Sequence, residues 1–170
     1  MASIQNQNLT AAAQLVAPVK KLYYLDSQSI TLTTGLSALE AWNRVMAQPM
    51  PVMKIAFWVR DAISRCFGVK PIGGFSGTPH SNIKVGDHLD FFLVEHIEPE
   101  VLCLTARDKH LDVMTCVTTD EHRLSITSSV ITHNWFGRVY MFPVAFAHRL
   151  IVRKSLARLQ ENLPKPDFDN

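Results

Sequence analysis

The sequence predicts an α+β protein in which one curved antiparallel sheet wraps a long C-terminal helix. Three observations carry that expectation. From about Asp90 to Thr132 apolar and polar residues alternate, interrupted only by short polar breaks such as Glu98-Pro99-Glu100, Asp108-Lys109 and Asp120-Glu121. Ser37 with Glu40 three residues later is the pattern that opens an amphipathic helix. Trp135–Gln160 is apolar and aromatic at first and then rich in Arg and Lys, as a long terminal helix would be.

Taken in chain order, residues 1–20 are rich in Gln, Asn and Ala, lack a sustained period and read as a flexible arm. Lys21–Leu32 carries Tyr, Leu, Ile and Thr and reads as a strand. A helix runs from Ser37 to about Ala47, where Pro49 and Pro51 end it. Val52–Phe67 sets Val52, Ile55, Ala56, Val59, Ile63 and Phe67 near one face at helical spacing, with Gly68 as its cap. Pro71–Gly86 is a glycine-rich loop long enough to form a lid or an entrance. Four strands follow, at about Asp90–His96, Val101–Arg107, His110–Thr119 and Arg123–Thr132. Turns this short join antiparallel neighbours, since a parallel crossover needs about a dozen residues or more. Pro143 is expected to bend or break the last helix, because proline lacks an amide donor and crowds the preceding turn.

Length and composition bound the rest. The 170 residues, 47% hydrophobic and 19% charged, suffice for one core, placed at 21–162 with 163–170 as a tail. A net charge of +2 is too balanced to imply a nucleic-acid partner. Cys66, Cys103 and Cys116 are odd in number and lack metal-ligand spacing, which fits a reducing cytoplasm better than a disulfide framework. The apolar stretch Leu9–Val19 is broken by Gln14 and Pro18 and makes a poor signal peptide. No run approaches the roughly 20 apolar residues of a membrane span.

The densest candidate for chemistry is Asp108-Lys109-His110-Leu111-Asp112. Strand alternation sets Asp108, His110 and Asp112 on one face, with Leu111, Val113 and Val117 buried on the other. A carboxylate beside His110 would orient the ring and raise its basicity, which is how a general base is tuned. The plainer reading is that the His/Asp set is solvated or bonded to the neighbouring strand, with polar cavity lining as a further alternative. His110 and Asp112 with His133 or His148 could also ligate a metal, but His-x-Asp alone is weak, and no metal or cofactor is expected. At the strand-to-helix junction Asn134 is a preferred N-cap, and Gly137 allows close approach of the helix to the sheet. Met114, His133, Tyr140, Phe146 and His148 are the residues expected to line a cavity between sheet and helix, where small molecules bind. Arg149, Arg153, Lys154 and Arg158 recur at helical spacing; they are expected to complement the helix dipole in solvent, with neither nucleic acid nor membrane as partner.

The residues also resemble a family. Gly86-Asp87, Phe92, Val94-Glu95, Val101-Leu102, Asp108–Asp112, Thr118, His133-Asn134, Gly137–Tyr140, Pro143 and His148–Val152 are similar to a bacterial domain-of-unknown-function family. The likeness runs from Tyr23-Tyr24 and Asp26-Ser27 through Phe67–Lys70 to Leu159, and is loose at 71–86. That family occurs alone or fused behind NAD(P)-binding domains of the atypical short-chain-dehydrogenase kind, and it looks START-like, with the polyketide-cyclase-like helix-grip fold. The resemblance implies the sheet-and-helix order already read from periodicity. This chain has no Gly-x-Gly-x-x-Gly behind a strand, since Gly73–Gly77 sits in a loop, so nicotinamide chemistry would need a separate NAD(P)-binding protein. The expected function is to bind a small, largely apolar molecule. The alternatives are a cyclase, dehydratase or hydrolase using His110 with Asp112 or Asp108, and a partner module of a separate NAD(P)-dependent oxidoreductase.

Overall fold

The computed structural model describes residues 9–47 and 76–163. The helix expected at Val52–Phe67, the loop before Ser76 and the tail after Leu163 lie outside the described residues. After a short 3-10 turn at Val19–Lys21, the elements are β1 (Tyr24–Thr31), α1 (Ala38–Met46), β2 (His88–Leu89), β3 (Phe92–Glu98), β4 (Val101–Arg107), β5 (Leu111–Thr119), β6 (Arg123–Thr132) and α2 (Trp135–Asn162). The six strands form one antiparallel sheet in the order β1-β6-β5-β4-β3-β2. The fold is therefore α+β, as expected, with a sixth strand that the alternation does not reveal. At two residues β2 is too short to carry a period.

Local chemistry accounts for the joints. The Ser37 hydroxyl accepts from the Glu40 amide at 3.2 Å and starts α1. Asp108 Oδ1 accepts from the amides of His110 and Leu111 at 2.6 and 2.9 Å, which closes the β4–β5 turn. Asp120 does the same for β5–β6 through the His122 amide, at 2.9 Å. The register slips between Val94 and His96, so β3 carries a bulge at Glu95.

The sheet has two covered faces. On the helix face, α1 and the C-terminal half of α2 enclose Leu102, Leu104, Val117, Leu124 and Ile126 with Trp42, Val45, Leu156 and Leu159. A second apolar cluster gathers Tyr24, Leu111, Val130 and Met141, with Val113, Tyr140 and Val144 packed on it. Leu111 and Val117 are buried on this face as expected, while Val113 near the sheet rim is only half-buried.

On the outer face Val101, Cys103, Met114 and Cys116 form a third cluster under Val16. The N-terminal arm lies along it. The Val16 amide donates to Ser129 Oγ at 2.9 Å, the Gln14 amide to Cys116 Sγ at 3.4 Å, and Thr10 and Thr118 share a hydroxyl bond at 3.0 Å.

Of the bend or break expected at Pro143, the break does not occur: the last helix runs continuously from Trp135 to Asn162. Pro143 is exposed, so the carbonyl it leaves without an amide partner can be met by water. At the start of α2, Asn134 Oδ1 accepts from the Gly137 amide at 3.0 Å, and the N-cap is formed as expected. Its Nδ2 donates to the Lys109 carbonyl at 3.1 Å, which ties the helix start to the β4–β5 turn.

Candidate functional site

Pairing fixes which residues stand side by side on the helix face. Across β5 and β6, Val117 faces Ile126, Thr115 faces Ser128 and Val113 faces Val130. The middle pair is polar and lies between two apolar pairs. On β1 the next residue in the same row is Asp26, opposite Ser128. Asp26, Ser128 and Thr115 thus form one polar row across three strands, and all three are buried. Toward the other edge the row continues as Leu104 and Val94, both fully buried.

Helix α2 lays two consecutive polar residues over this row. Arg149 Nε is 3.1 Å from Asp26 Oδ1. Gln28, two residues along the same face of β1, donates to Asp26 Oδ2 at 2.6 Å and to the Arg149 carbonyl at 3.1 Å. His148 Nε2 lies 3.4 Å from Ser128 Oγ, and Ser128 Oγ lies 3.5 Å from Thr115 Oγ1. Tyr24, on the other side of Asp26, meets the His148 ring edge-on at 6.1 Å and sets its hydroxyl 3.4 Å from the Ala145 carbonyl. The His148 Nδ1 atom is buried and has no hydrogen-bond partner.

Burial governs the electrostatics. It pushes the His148 imidazole below its ordinary range, against the opposing pull of Asp26, so the ring is neutral at neutral pH. Burial, reinforced by Asp26, pushes the Tyr24 hydroxyl well above its ordinary range. The row therefore presents a neutral histidine, two hydroxyls and a charge-balanced carboxylate to an otherwise apolar interior.

Ser128, His148 and Asp26 are the residue types of a nucleophilic triad but lack its geometry. A triad aspartate must hold the far nitrogen of the histidine ring. Here Asp26 binds Arg149 and Gln28, and His148 Nδ1 binds nothing. The contact from Ser128 to His148 is also long for proton transfer. What this arrangement can supply is hydrogen-bonding capacity in a dry place.

A family profile described as protein of unknown function (DUF2867) matches residues 18–155. The chain belongs to the DUF2867 family. No curated protein and no solved structure matches it. The DUF2867 span takes in every residue of the polar row together with His148 and Arg149, and leaves out the arm before Pro18.

Within this DUF2867 domain the residues singled out by sequence fall in different places. Strand β5 starts at Leu111, so His110 belongs to the preceding turn and the alternation argument does not reach it. Its ring packs on Phe136 at 4.6 Å, its Nδ1 lies 3.0 Å from Asn134 Nδ2, and its Nε2 is buried without a partner. Asp108 is spent on turn amides, and Asp112 pairs with His133 Nε2 at 3.0 Å rather than with His110. The expected carboxylate–His110 pair is thus not formed.

Met114 faces the outer cluster, one strand position out of phase with Thr115, and Phe146 is 77% exposed; neither lines the space between sheet and helix. Tyr140 packs on the second apolar cluster and stacks with Phe136 at 6.2 Å. Of the expected lining residues, His148 alone meets the polar row. Among the described residues no group of three His, Cys, Asp or Glu is disposed to hold a metal.

The residues missed by sequence are Tyr24, Asp26, Gln28, Thr115, Ser128 and Arg149. A partial signal existed in β1, where positions 24, 26 and 28 share a face and two of them are strongly polar. Arg149, read as one of four solvated bases, instead turns inward to Asp26.

Proposed function

We propose that this DUF2867 domain binds a small, largely apolar molecule between the sheet and α2, in a helix-grip arrangement of the START-like kind. The supporting observation is the buried row Asp26–Ser128–Thr115 beneath His148. Burying polar groups in a core costs free energy unless they are bonded, and an apolar row would fill the same volume at lower cost. The His148 nitrogen without a partner is a place for one hydrogen bond, accepted from a ligand hydroxyl or donated to a ligand carbonyl. The two apolar clusters flanking the row would accept the rest of such a molecule.

Native mass spectrometry of the freshly purified chain tests this reading. The expected native mass exceeds the denatured chain mass by that of a small organic molecule. A native mass equal to that of the bare chain, with no uptake on exposure to an organic extract of the expression host, would count against it.

A further inference from the structure

We propose that the flank of α2 turned away from the sheet docks on an anionic phospholipid surface. Trp135–Ala147, the first half of that helix, contains one charged residue, Arg138. A helix segment apolar on every side is ordinarily buried on every side. Here one side meets the sheet, through buried Gly137 and Met141. On the other side Trp135, Val139, Phe142 and Phe146 are 70, 61, 82 and 77% exposed. Their spacing of four, three and four residues aligns them in one stripe. Three large aromatic side chains in a row on a solvent-facing flank form a patch of the kind that marks an interaction surface.

Charge selects the occupant. Besides Arg149, which is paired with Asp26, α2 carries Arg138, Arg153, Lys154 and Arg158 against one acid, Glu161. Arg138, one turn before Phe142, and Arg153, two turns after Phe146, border the stripe, and Lys154 and Arg158 are also exposed. Aromatic rings seated at the boundary between headgroups and acyl chains, with guanidinium groups on the phosphates, make up the chemistry of a helix lying in the membrane interface. A second copy fits less well, because stripe-to-stripe pairing would bring two cationic helices together with only Glu161 on each to oppose them. Docking of this kind is superficial: among the described residues no helix is long and apolar enough to cross a membrane. Arg153, Lys154 and Arg158 stand in solvent as expected; the aromatic stripe beside them is what favours a membrane surface, against the expectation of no membrane partner.

Flotation of the full chain with phosphatidylcholine vesicles, with and without phosphatidylserine, provides the test. Binding is expected only with phosphatidylserine, is expected to fall as salt is raised, and should shift tryptophan emission to the blue as Trp135 leaves water. Phe142→Ser and Phe146→Ser together should abolish flotation while leaving the melting temperature unchanged, since both side chains lie in solvent. Failure of the wild type to float would overturn the proposal, and so would flotation that survives both substitutions. A concentration-dependent dimer that disappears in the Phe142→Ser variant would overturn it in favour of a second copy.

Discussion

The backbone of Gly137 in α2 sits against the carbonyl of His110, so closely that a β-carbon there would fall well inside contact distance of that oxygen. The same carbonyl accepts the His133 amide at 2.8 Å and cannot easily turn away. Gly137→Ala is therefore expected to destabilise the chain by about 1–3 kcal/mol through overpacking. Urea unfolding midpoints measure it, and an unchanged midpoint would mean that the helix start moves freely.

Asn134 holds the neighbouring joint with three contacts, to the Gly137 amide, the Lys109 carbonyl and the His110 ring. Its replacement by Ala should cost about 1 kcal/mol for the cap alone. Asn134→Asp keeps the acceptor for Gly137 and loses the donor, so its midpoint should fall between those of the wild type and the Ala variant. An Ala variant as stable as the wild type would show that the cap contributes nothing.

Most of the architecture was legible because its signals are local. Val101–Arg107 and Arg123–Thr132 have the expected strand bounds, and the Ser37 and Asn134 caps act as read. Which residues meet across the sheet is set by non-local pairing, β1 with β6 above all, and period-two alternation carries no information on that. The row Asp26–Ser128–Thr115 draws on three strands, and its members are more than a dozen residues apart in sequence. His110 escapes the alternation for the opposite reason: it immediately precedes the start of β5, and a period cannot be extended across a turn.

The Asp26–Arg149 pair joins sheet to helix with the carboxylate buried and the guanidinium partly in solvent. Arg149→Met removes the cation and leaves the carboxylate behind, so a loss of about 1–3 kcal/mol is expected. Adding Asp26→Leu should restore much of that loss, since a buried pair replaced by apolar groups is often nearly neutral. A double variant as unstable as the sum of the two single variants would show that the residues are not coupled.

His148 gives the domain a pH dependence of definite sign. Its folded-state pKa lies below the ordinary 6.5 because burial disfavours the charged ring. On acidification through that value the unfolded chain takes up a proton that the folded chain does not. The stability held above about pH 6.5 is thus lost progressively as the pH falls. Unfolding midpoints across that range should drop toward acid in the wild type and drop less in His148→Gln. Parallel pH profiles for the two proteins would place the effect elsewhere.

The row beneath α2 is tested most directly by comparing ligand retention in the wild type with that in Ser128→Ala and Thr115→Val. Each substitution removes a hydroxyl without adding side-chain volume to the buried row. With far-UV circular dichroism confirming that all three proteins are folded, native mass spectra taken after identical purification should show the small-molecule adduct in the wild type and its loss in both variants. An adduct retained equally by all three would contradict the assignment of the row as the ligand's polar contact.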